Sequence, residues 1–118
     1  MEDQFHNKLR RKMDEFAHLV YKLTKNFPKD ELYGIISQLR RSSLSVVLNY
    51  IEGYSRRKKM TMLNFFEISY GSLKEAKYLL NFSLKEGYSN GAEYKQALNL
   101  TEEIGAMLWK TIEGLKNK

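Results

Sequence analysis

Helix-breaking residues are scarce in this chain, and that scarcity constrains its fold more than any other feature. Pro28 is the only proline among 118 residues, and seven glycines are spread along the sequence. Between these interruptions apolar residues recur every three or four positions, which is the period of one helix face. The first such stripe is Phe5, Leu9, Met13, Phe16, Val20 and Leu23. No segment shows the alternation of a half-buried strand, so the sequence predicts an all-α protein.

Four helical segments of similar length follow from this pattern. We expect them at about 3–26, 29–54, 60–86 and 90–116. Pro28 suits the first turn of the second helix, and Gly87 suits a stop after the third. Ser89 or Asn90 is expected to cap the fourth. Equal lengths and short connections favour a single domain, residues 1–118, folded as an up-down-up-down antiparallel four-helix bundle.

The second and third helices are apolar over a wider arc than one buried stripe requires. In a monomer part of this arc would face water, including Leu44, Leu48, Phe65 or Phe82. Exposed apolar patches of this kind often mark association surfaces. The alternative is that these side chains thicken the core of the bundle. We favour association into an oligomer.

Composition narrows the functional classes. The chain has no cysteine, which excludes disulfides and thiolate metal sites. The N-terminal stretch MEDQFHNKLRRKM has no long apolar run of the kind found in a signal peptide. No apolar segment is long enough to cross a bilayer. We therefore expect a cytoplasmic protein without a membrane partner.

Positive charge is concentrated in the first half of the sequence. The net charge is +6, and residues 1–59 hold 13 Lys and Arg against 7 Asp and Glu, whereas residues 60–118 hold 7 of each. The candidate nucleic-acid-binding residues are Arg10, Arg11, Lys12, Arg40, Arg56, Arg57, Lys58 and Lys59. In an antiparallel bundle the 56–59 connector lies nearer the start of the first helix than its end. This brings the 10–12 and 56–59 clusters towards one end of the molecule.

These cations fit two interpretations. Lys and Arg neutralise phosphates and give sequence-independent affinity for RNA or DNA, and a ring of subunits would add avidity. A solvated connector between two helices often carries the same residues. Arg40 differs from the others because it lies on the apolar side of its helix, where a guanidinium must find an acid or extend to water. No motif for reading bases is present.

A polar strip runs along the second helix. Its members lie within about 80° of one another at the helical period: Gln38, Arg41, Ser45, Asn49 and Glu52. Arg41 can pair with a carboxylate such as Glu52 or Glu75. We interpret the strip as a structural network that fixes the register of the bundle, because buried polar groups must be paired.

Signals for catalysis and for cofactors are absent from the sequence. A di-iron bundle needs two Glu-x-x-His pairs, and only Glu15-Phe-Ala-His18 has this form. The other histidine, His6, has no glutamate three residues before it. There is no glycine-rich phosphate loop and no Ser-His-Asp arrangement. We predict a protein that is not an enzyme and has no catalytic residue, metal or cofactor.

Three segments carry a resemblance to a known family. FPKDELYG (27–34), QLRRSSLSVVLNYIEGYSR (38–56) and FFEISYGSLKEAKYLL (65–80) resemble the four-helix-bundle family encoded in intervening sequences of bacterial 23S rRNA genes. This family is similar in turn to the accessory variability proteins of diversity-generating retroelements. Ser45, Asn49, Glu52 and Gly53 match the family pattern, whereas Val47 stands in place of its usual proline and Tyr50-Ile51 in place of Ile-Ala.

The resemblance implies both architecture and partners. It implies an antiparallel four-helix bundle that assembles as a homopentameric ring and binds nucleic acid. The retroelement relatives contact a reverse transcriptase and its RNA template. Two functions therefore stay open: direct binding of RNA or DNA, and a protein-interaction scaffold or accessory subunit of a nucleic-acid enzyme such as a reverse transcriptase. Salt separates them, because phosphate binding weakens steeply as salt rises and apolar docking does not.

Overall fold

The computed structural model describes residues 2–88 and 91–118. Within these residues the chain forms four α-helices and no strand. They are α1 (Glu2–Thr24), α2 (Ser37–Tyr54), α3 (Lys59–Lys85) and α4 (Ala92–Lys116). The prediction of an all-α protein is confirmed.

The segment before α2 differs from the predicted helix 29–54. A 3₁₀ turn, Lys29–Glu31, is followed by a wide π-type turn, Leu32–Ile36, and the regular helix begins only at Ser37. Gly34 leaves helical geometry, with φ −108° and ψ −114°. A Cβ at this glycine would lie 2.6 Å from the Glu31 carboxylate oxygen that accepts from the Ile35 amide. Ile35 and Ile36 are buried and keep the helical spacing of apolar residues through this segment. The sequence pattern therefore gave no sign that the backbone leaves helical geometry at Gly34.

The remaining helix ends lie close to their predicted positions. The Thr24 hydroxyl donates to the Val20 carbonyl at 2.8 Å in the last turn of α1. Gly87 has a positive φ of 75° after α3, the conformation that glycine adopts most easily. The Tyr88 amide then donates to the Ser83 carbonyl at 2.9 Å. The predicted cap of the fourth helix, Ser89 or Asn90, lies outside the described residues.

The apolar stripes of all four helices meet in one core. The largest fully buried side chains are Tyr50, Phe16, Phe66, Leu9, Met13, Leu39, Leu73, Leu80, Ile104, Leu108, Val20 and Val46. Burying an apolar side chain of this size stabilises a fold by about 1.5–3 kcal/mol. The core therefore contains the first-helix stripe that the sequence predicted, apart from Phe5, which is only partly buried at its edge.

Contacts between α2 and α3 fix how these helices lie. Arg41 pairs with Glu75, the Ser45 and Ser72 hydroxyls are 2.7 Å apart, and the Ser69 hydroxyl donates to the Val46 carbonyl at 2.7 Å. The residue number on α3 therefore falls as the number on α2 rises. Small side chains let the two helices approach closely along this line. At its end Gly53 lies against the ring of Phe66, where a Cβ would be 2.7 Å from a ring carbon.

An apolar ridge is exposed on the outer side of α2. It consists of Leu44, Leu48 and Ile51, which are 37%, 59% and 42% exposed. We call these three residues the outer ridge. Phe82 on α3 is also exposed, whereas Phe65 is half-buried. Three of the four side chains expected to face water in a monomer thus do so. None of the described helices combines the length and hydropathy needed to cross a bilayer.

Candidate nucleic-acid interface

One end of the molecule collects the start of α1, the end of α2, the start of α3 and the end of α4. His6 Nδ1 lies 2.9 Å from the Tyr50 hydroxyl, and the His6 ring stacks on Tyr54 with centroids 3.4 Å apart. Lys59 Nζ donates to the Lys116 carbonyl at 3.3 Å. The cations gathered here are Arg56, Arg57, Lys58, Lys59, Lys110, Lys116 and Lys118, and we call them the basic pole.

The connector between α2 and α3 is short and is stabilised by its own hydrogen bonds. The Ser55 hydroxyl donates to the Glu52 carbonyl at 2.7 Å, and the Arg56 amide donates to the Gly53 carbonyl at 3.1 Å. Lys58 is extended, with φ −83° and ψ 131°, and leads directly into α3. Four consecutive cations therefore occupy a tight turn, which keeps their side chains at the end of the molecule.

Two of the four connector cations are held by the protein itself. Arg56 forms an ion pair with Glu52 one turn earlier, and its guanidinium lies 5.3 Å from the centroid of the Phe65 ring. Lys59 Nζ donates to the carbonyls of Lys116 and Lys118, at 3.3 and 3.4 Å. A cation is stabilised at this position because a helix C-terminus carries partial negative charge. Arg56 and Lys59 thus fasten the connector to the helices around it.

The other two connector cations point to solvent. Arg57 and Lys58 are exposed, and neither side chain forms a hydrogen bond or ion pair with the part of the chain that the structure describes. They stand in the sequence between the two fastened cations. Their charged groups are therefore available to solvent.

The cluster on α1 is divided in the same way. Lys12 Nζ lies 2.9 Å from Glu103 Oε1 and joins α1 to α4. Arg10 and Arg11 are exposed and have no ion pair among the described residues. Arg10 is four residues from His6, about 6 Å along the helix. Arg10 and Arg11 therefore lie in the half of α1 nearer the basic pole, whereas Lys12 joins two helices.

Arg40 is not brought together with the other candidate cations. Its Nε donates to the Thr24 hydroxyl at 2.8 Å, and its guanidinium lies 4.7 Å from the centroid of the Tyr21 ring. The sequence led us to expect an acid or water as its partner; a hydroxyl and an aromatic ring take that place. Arg40 precedes Arg56 by sixteen residues, about 24 Å along α2. It therefore ties the start of α2 to the end of α1 at the opposite end of the molecule.

Three lysines of the basic pole were missed by the sequence analysis. Lys110, Lys116 and Lys118 belong to residues 60–118, whose charges sum to zero. The net charge of each half of the sequence therefore did not point to them. Lys116 is 3.6 Å from Glu113 and 3.8 Å from Glu67. The available signal was the presence of three lysines among the last nine residues, 110–118, combined with a topology that returns the fourth helix to the 56–59 connector.

A pocket of about 340 Å³ opens beside these lysines. We call it the aromatic pocket. Aromatic side chains from α1, α2 and α3 line it: Phe5, His6, Tyr50, Tyr54 and Phe66. Lys110, Gly114 and Lys118 line it from the other side. Burial raises the pKa of the Tyr50 hydroxyl well above its ordinary value, so the hydroxyl that bonds to His6 keeps its proton.

The polar strip of α2 lies along the contact with α3. Arg41 pairs with Glu75 and also donates to Gln38 Oε1 at 3.2 Å. Asn49 Nδ2 donates to the Ser45 hydroxyl oxygen at 2.9 Å, and that hydroxyl also contacts Ser72. Ser72 was not among the predicted members. Glu52 pairs instead with Arg56, a member of the basic pole.

The two side chains of the Glu-x-x-His sequence, Glu15 and His18, have different partners. The Glu15 carboxylate accepts a hydrogen bond from Gln96 Nε2 at 3.2 Å. His18 is directed to solvent, with Nε2 3.7 Å from Asp14 Oδ2. Across residues 2–88 and 91–118, no three potential ligands are grouped so that they could hold a metal ion.

Comparison with known proteins places this geometry in a family. A solved structure of a protein of unknown function from the S23 ribosomal protein family of Bacteroides thetaiotaomicron has the same fold. The TM-score is 0.78 at 23% sequence identity, over 88% of this chain and 97% of that chain. A search of curated proteins found no match. Residues 6–110 match the family described as 23S rRNA-intervening sequence protein. This match spans most of the sequence, so the chain belongs to the 23S rRNA-intervening sequence protein family.

Proposed function

We propose that this protein binds RNA or DNA through the basic pole, by contacts to phosphates and without catalysis. The observation that carries the proposal is the exposure of Arg57 and Lys58, whose side chains have no hydrogen-bonding or ionic partner in the described part of the chain. Arg10 and Arg11 extend the same surface along α1. Side chains that are not paired within the protein can neutralise phosphates without first breaking an ion pair.

The proposal includes an assembly. The four helices form an antiparallel bundle, and copies of it form a homopentameric ring. The opposed order of the α2 and α3 contacts supports the topology, and the outer ridge supports association because Leu48 alone leaves 59% of its surface exposed. A ring would present several basic poles to one nucleic acid, and the second contact would benefit from a high local concentration.

The proposal also covers location and activity. We propose a cytoplasmic location, where RNA and DNA would be accessible. The candidate interface offers cations and aromatic rings, which suit binding rather than bond making and breaking. We therefore propose a non-enzymatic binding protein that uses no metal or cofactor.

A salt titration with a charge-matched control tests phosphate binding. We expect the double variant Arg57→Gln/Lys58→Gln to bind structured RNA and duplex DNA more weakly than the parent. The slope of log affinity against log salt should fall by about two, because each phosphate contact contributes about one unit. The control Lys85→Gln/Lys95→Gln removes the same charge from exposed positions near the opposite end, and it should bind as the parent does. Equal weakening by both pairs would contradict a local interface.

A second candidate function is protein docking, and a separate groove favours it. Tyr70 and Trp109 lie with ring centroids 5.8 Å apart on the α3–α4 side, and Trp109 is 52% exposed. This groove of about 400 Å³ would suit an apolar segment of a nucleic-acid enzyme such as a reverse transcriptase. Binding through it should change little with salt, and Trp109→Ala should weaken it while leaving the affinity for RNA unchanged.

A further inference from the structure

We propose that the aromatic pocket receives one unpaired nucleobase of a nucleic-acid strand whose phosphates lie on the basic pole. This inference rests on the proposed function and makes it more specific. It assigns a preference for strands with unpaired bases to a protein whose sequence contains no known base-reading motif. The preference concerns the flat ring system of a base and not its identity.

The lining of the pocket fits a planar aromatic ligand. His6 and Tyr54 are stacked with centroids 3.4 Å apart and together form one wall. Phe5 and Leu115 also line the pocket and are only partly buried. Bases stack on such side chains whatever their sequence, because every base has a π face. The volume of about 340 Å³ lies at the lower end of the range for small-ligand pockets, about 300–1,000 Å³.

The charge around the pocket favours a ligand that carries phosphate. Lys110 and Lys118 line it, and no Asp or Glu is among its described lining residues. The groove on the α3–α4 side differs, since there Lys77 forms an ion pair with Glu102. A neutral apolar segment would gain nothing from these two lysines, whereas a base attached to a phosphate uses both the rings and the cations.

A base can enter such a pocket only when it is not paired. In a duplex the faces of each base are covered by its neighbours, so entry would require unstacking. Stacking of one base on protein aromatic groups changes affinity by about 5- to 150-fold. We therefore expect a single strand to bind more tightly than a strand of equal charge that carries no bases.

The test compares two strands of about 12 nucleotides, within the usual range of single-strand site sizes. One carries bases, and the other carries abasic sugars with the same number of phosphates. The variant is Gly114→Phe, which places a ring in the pocket from α4; a Cβ at Gly114 meets nothing within 4 Å. The matched control is Gly71→Phe on α3, which also meets nothing within 4 Å and lies outside the pocket. The mass of each intact assembly is measured to confirm that association is unchanged.

We expect the parent protein and Gly71→Phe to bind the base-carrying strand about tenfold more tightly than the abasic strand. Gly114→Phe should bind both strands with the affinity that the parent has for the abasic strand. Equal binding of the two strands by the parent would overturn the pocket assignment and leave phosphate binding intact. Failure to bind either strand would overturn the proposed function itself.

A free nucleotide carries the same chemistry, and a competition experiment distinguishes it from a strand. Adenosine monophosphate lacks neighbouring phosphates, so we expect it to displace the base-carrying strand only at concentrations far above that of the strand. Displacement at a concentration similar to that of the strand would assign the pocket to free nucleotides and contradict the strand assignment.

Discussion

Several side chains that the sequence suggested for ligand binding instead stabilise contacts within the protein. Arg40 contacts the Thr24 hydroxyl and the Tyr21 ring, and Lys12 forms an ion pair that joins α1 to α4. Tyr88 also joins two segments of the chain through its side chain. Its hydroxyl donates to Glu31 Oε2 at 2.7 Å and so joins the turn before α2 to the segment after α3.

This tyrosine gives a prediction about pH. The hydrogen bond to the Glu31 carboxylate, together with burial and nearby acids, raises the pKa of Tyr88 from 10.0 to about 12. Because the folded state holds the proton more tightly, the stability from this group is fully present below pH 10 and is lost as pH rises through about 12. We expect the difference in unfolding free energy between the parent and Tyr88→Phe to shrink across this window.

Urea unfolding at several pH values measures this difference. Glu31→Gln is the companion variant, because it keeps an oxygen acceptor for the Ile35 amide but removes the negative charge. It should lower the pH dependence as Tyr88→Phe does. A stability difference that stayed constant from pH 10 to pH 12 would show that Tyr88 does not titrate in this way.

At the scale of the helix, close approach between α2 and α3 depends on glycine and serine. Gly53 is the tightest point, since a Cβ there would lie 2.7 Å from Cε1 of Phe66 and 3.0 Å from Cβ of Phe65. Both neighbours are aromatic residues, and a buried ring cannot shift as the tip of a long flexible chain can. Helix propensity and helix packing therefore make opposite demands at this position.

We expect Gly53→Ala to destabilise the protein by about 1–3 kcal/mol, the usual cost of overpacking. Gly71→Ala is the control on α3, where a Cβ meets nothing within 4 Å. It should stabilise the protein by about 0.5–1 kcal/mol, because alanine loses less entropy in a helix than glycine. Chemical unfolding of the two variants measures both values. Two variants of equal stability would contradict the packing argument.

The sequence predicted the four helices well, but it predicted only some of the cations that the structure brings together at the basic pole. Apolar period and the scarcity of proline were enough for four helices, since each stripe recurs over many turns. The break at Gly34 was missed because Ile35 and Ile36 keep the helical period while the backbone leaves it. Lys110, Lys116 and Lys118 were missed because a charge count along the chain cannot show which helix ends meet. The partners of Arg40 depend on Thr24 and Tyr21, which carry no charge to suggest them.

At the scale of the whole molecule, the chain is a rod with principal extents of 46 × 25 × 18 Å. Its basic pole lies at one end, and the outer ridge runs along its side. Association through the side would leave the ends of all copies accessible, so one assembly could both bury the ridge and present the poles. Phosphate binding and association are therefore assigned to different surfaces, and each can be tested separately.

Leu48→Glu is the variant that tests association. A charge in the middle of the outer ridge should dissociate the assembly into monomers, because an unpaired carboxylate is costly to bury. The fold should persist, since Leu48 is already 59% exposed. Tyr33→Glu is the control. It makes the same charge change in the turn that precedes α2, at a side chain that is 93% exposed. Light scattering gives the mass of each species; a parent that is itself monomeric, or a Leu48→Glu variant with the parent's mass, would contradict the ring.

The connector between α2 and α3 has a consequence for any alanine scan of positions 56–59. These four neighbouring residues carry the same charge but should have two different effects on stability. The outer two, Arg56 and Lys59, should matter for stability, and the inner two, Arg57 and Lys58, should not. Replacing Arg56 or Lys59 should lower the melting temperature, since each is anchored to a helix. Replacing Arg57 or Lys58 should leave the melting curve in place. The proposed phosphate contacts of Arg57 and Lys58 could thus be altered while the adjoining pair keeps the turn closed.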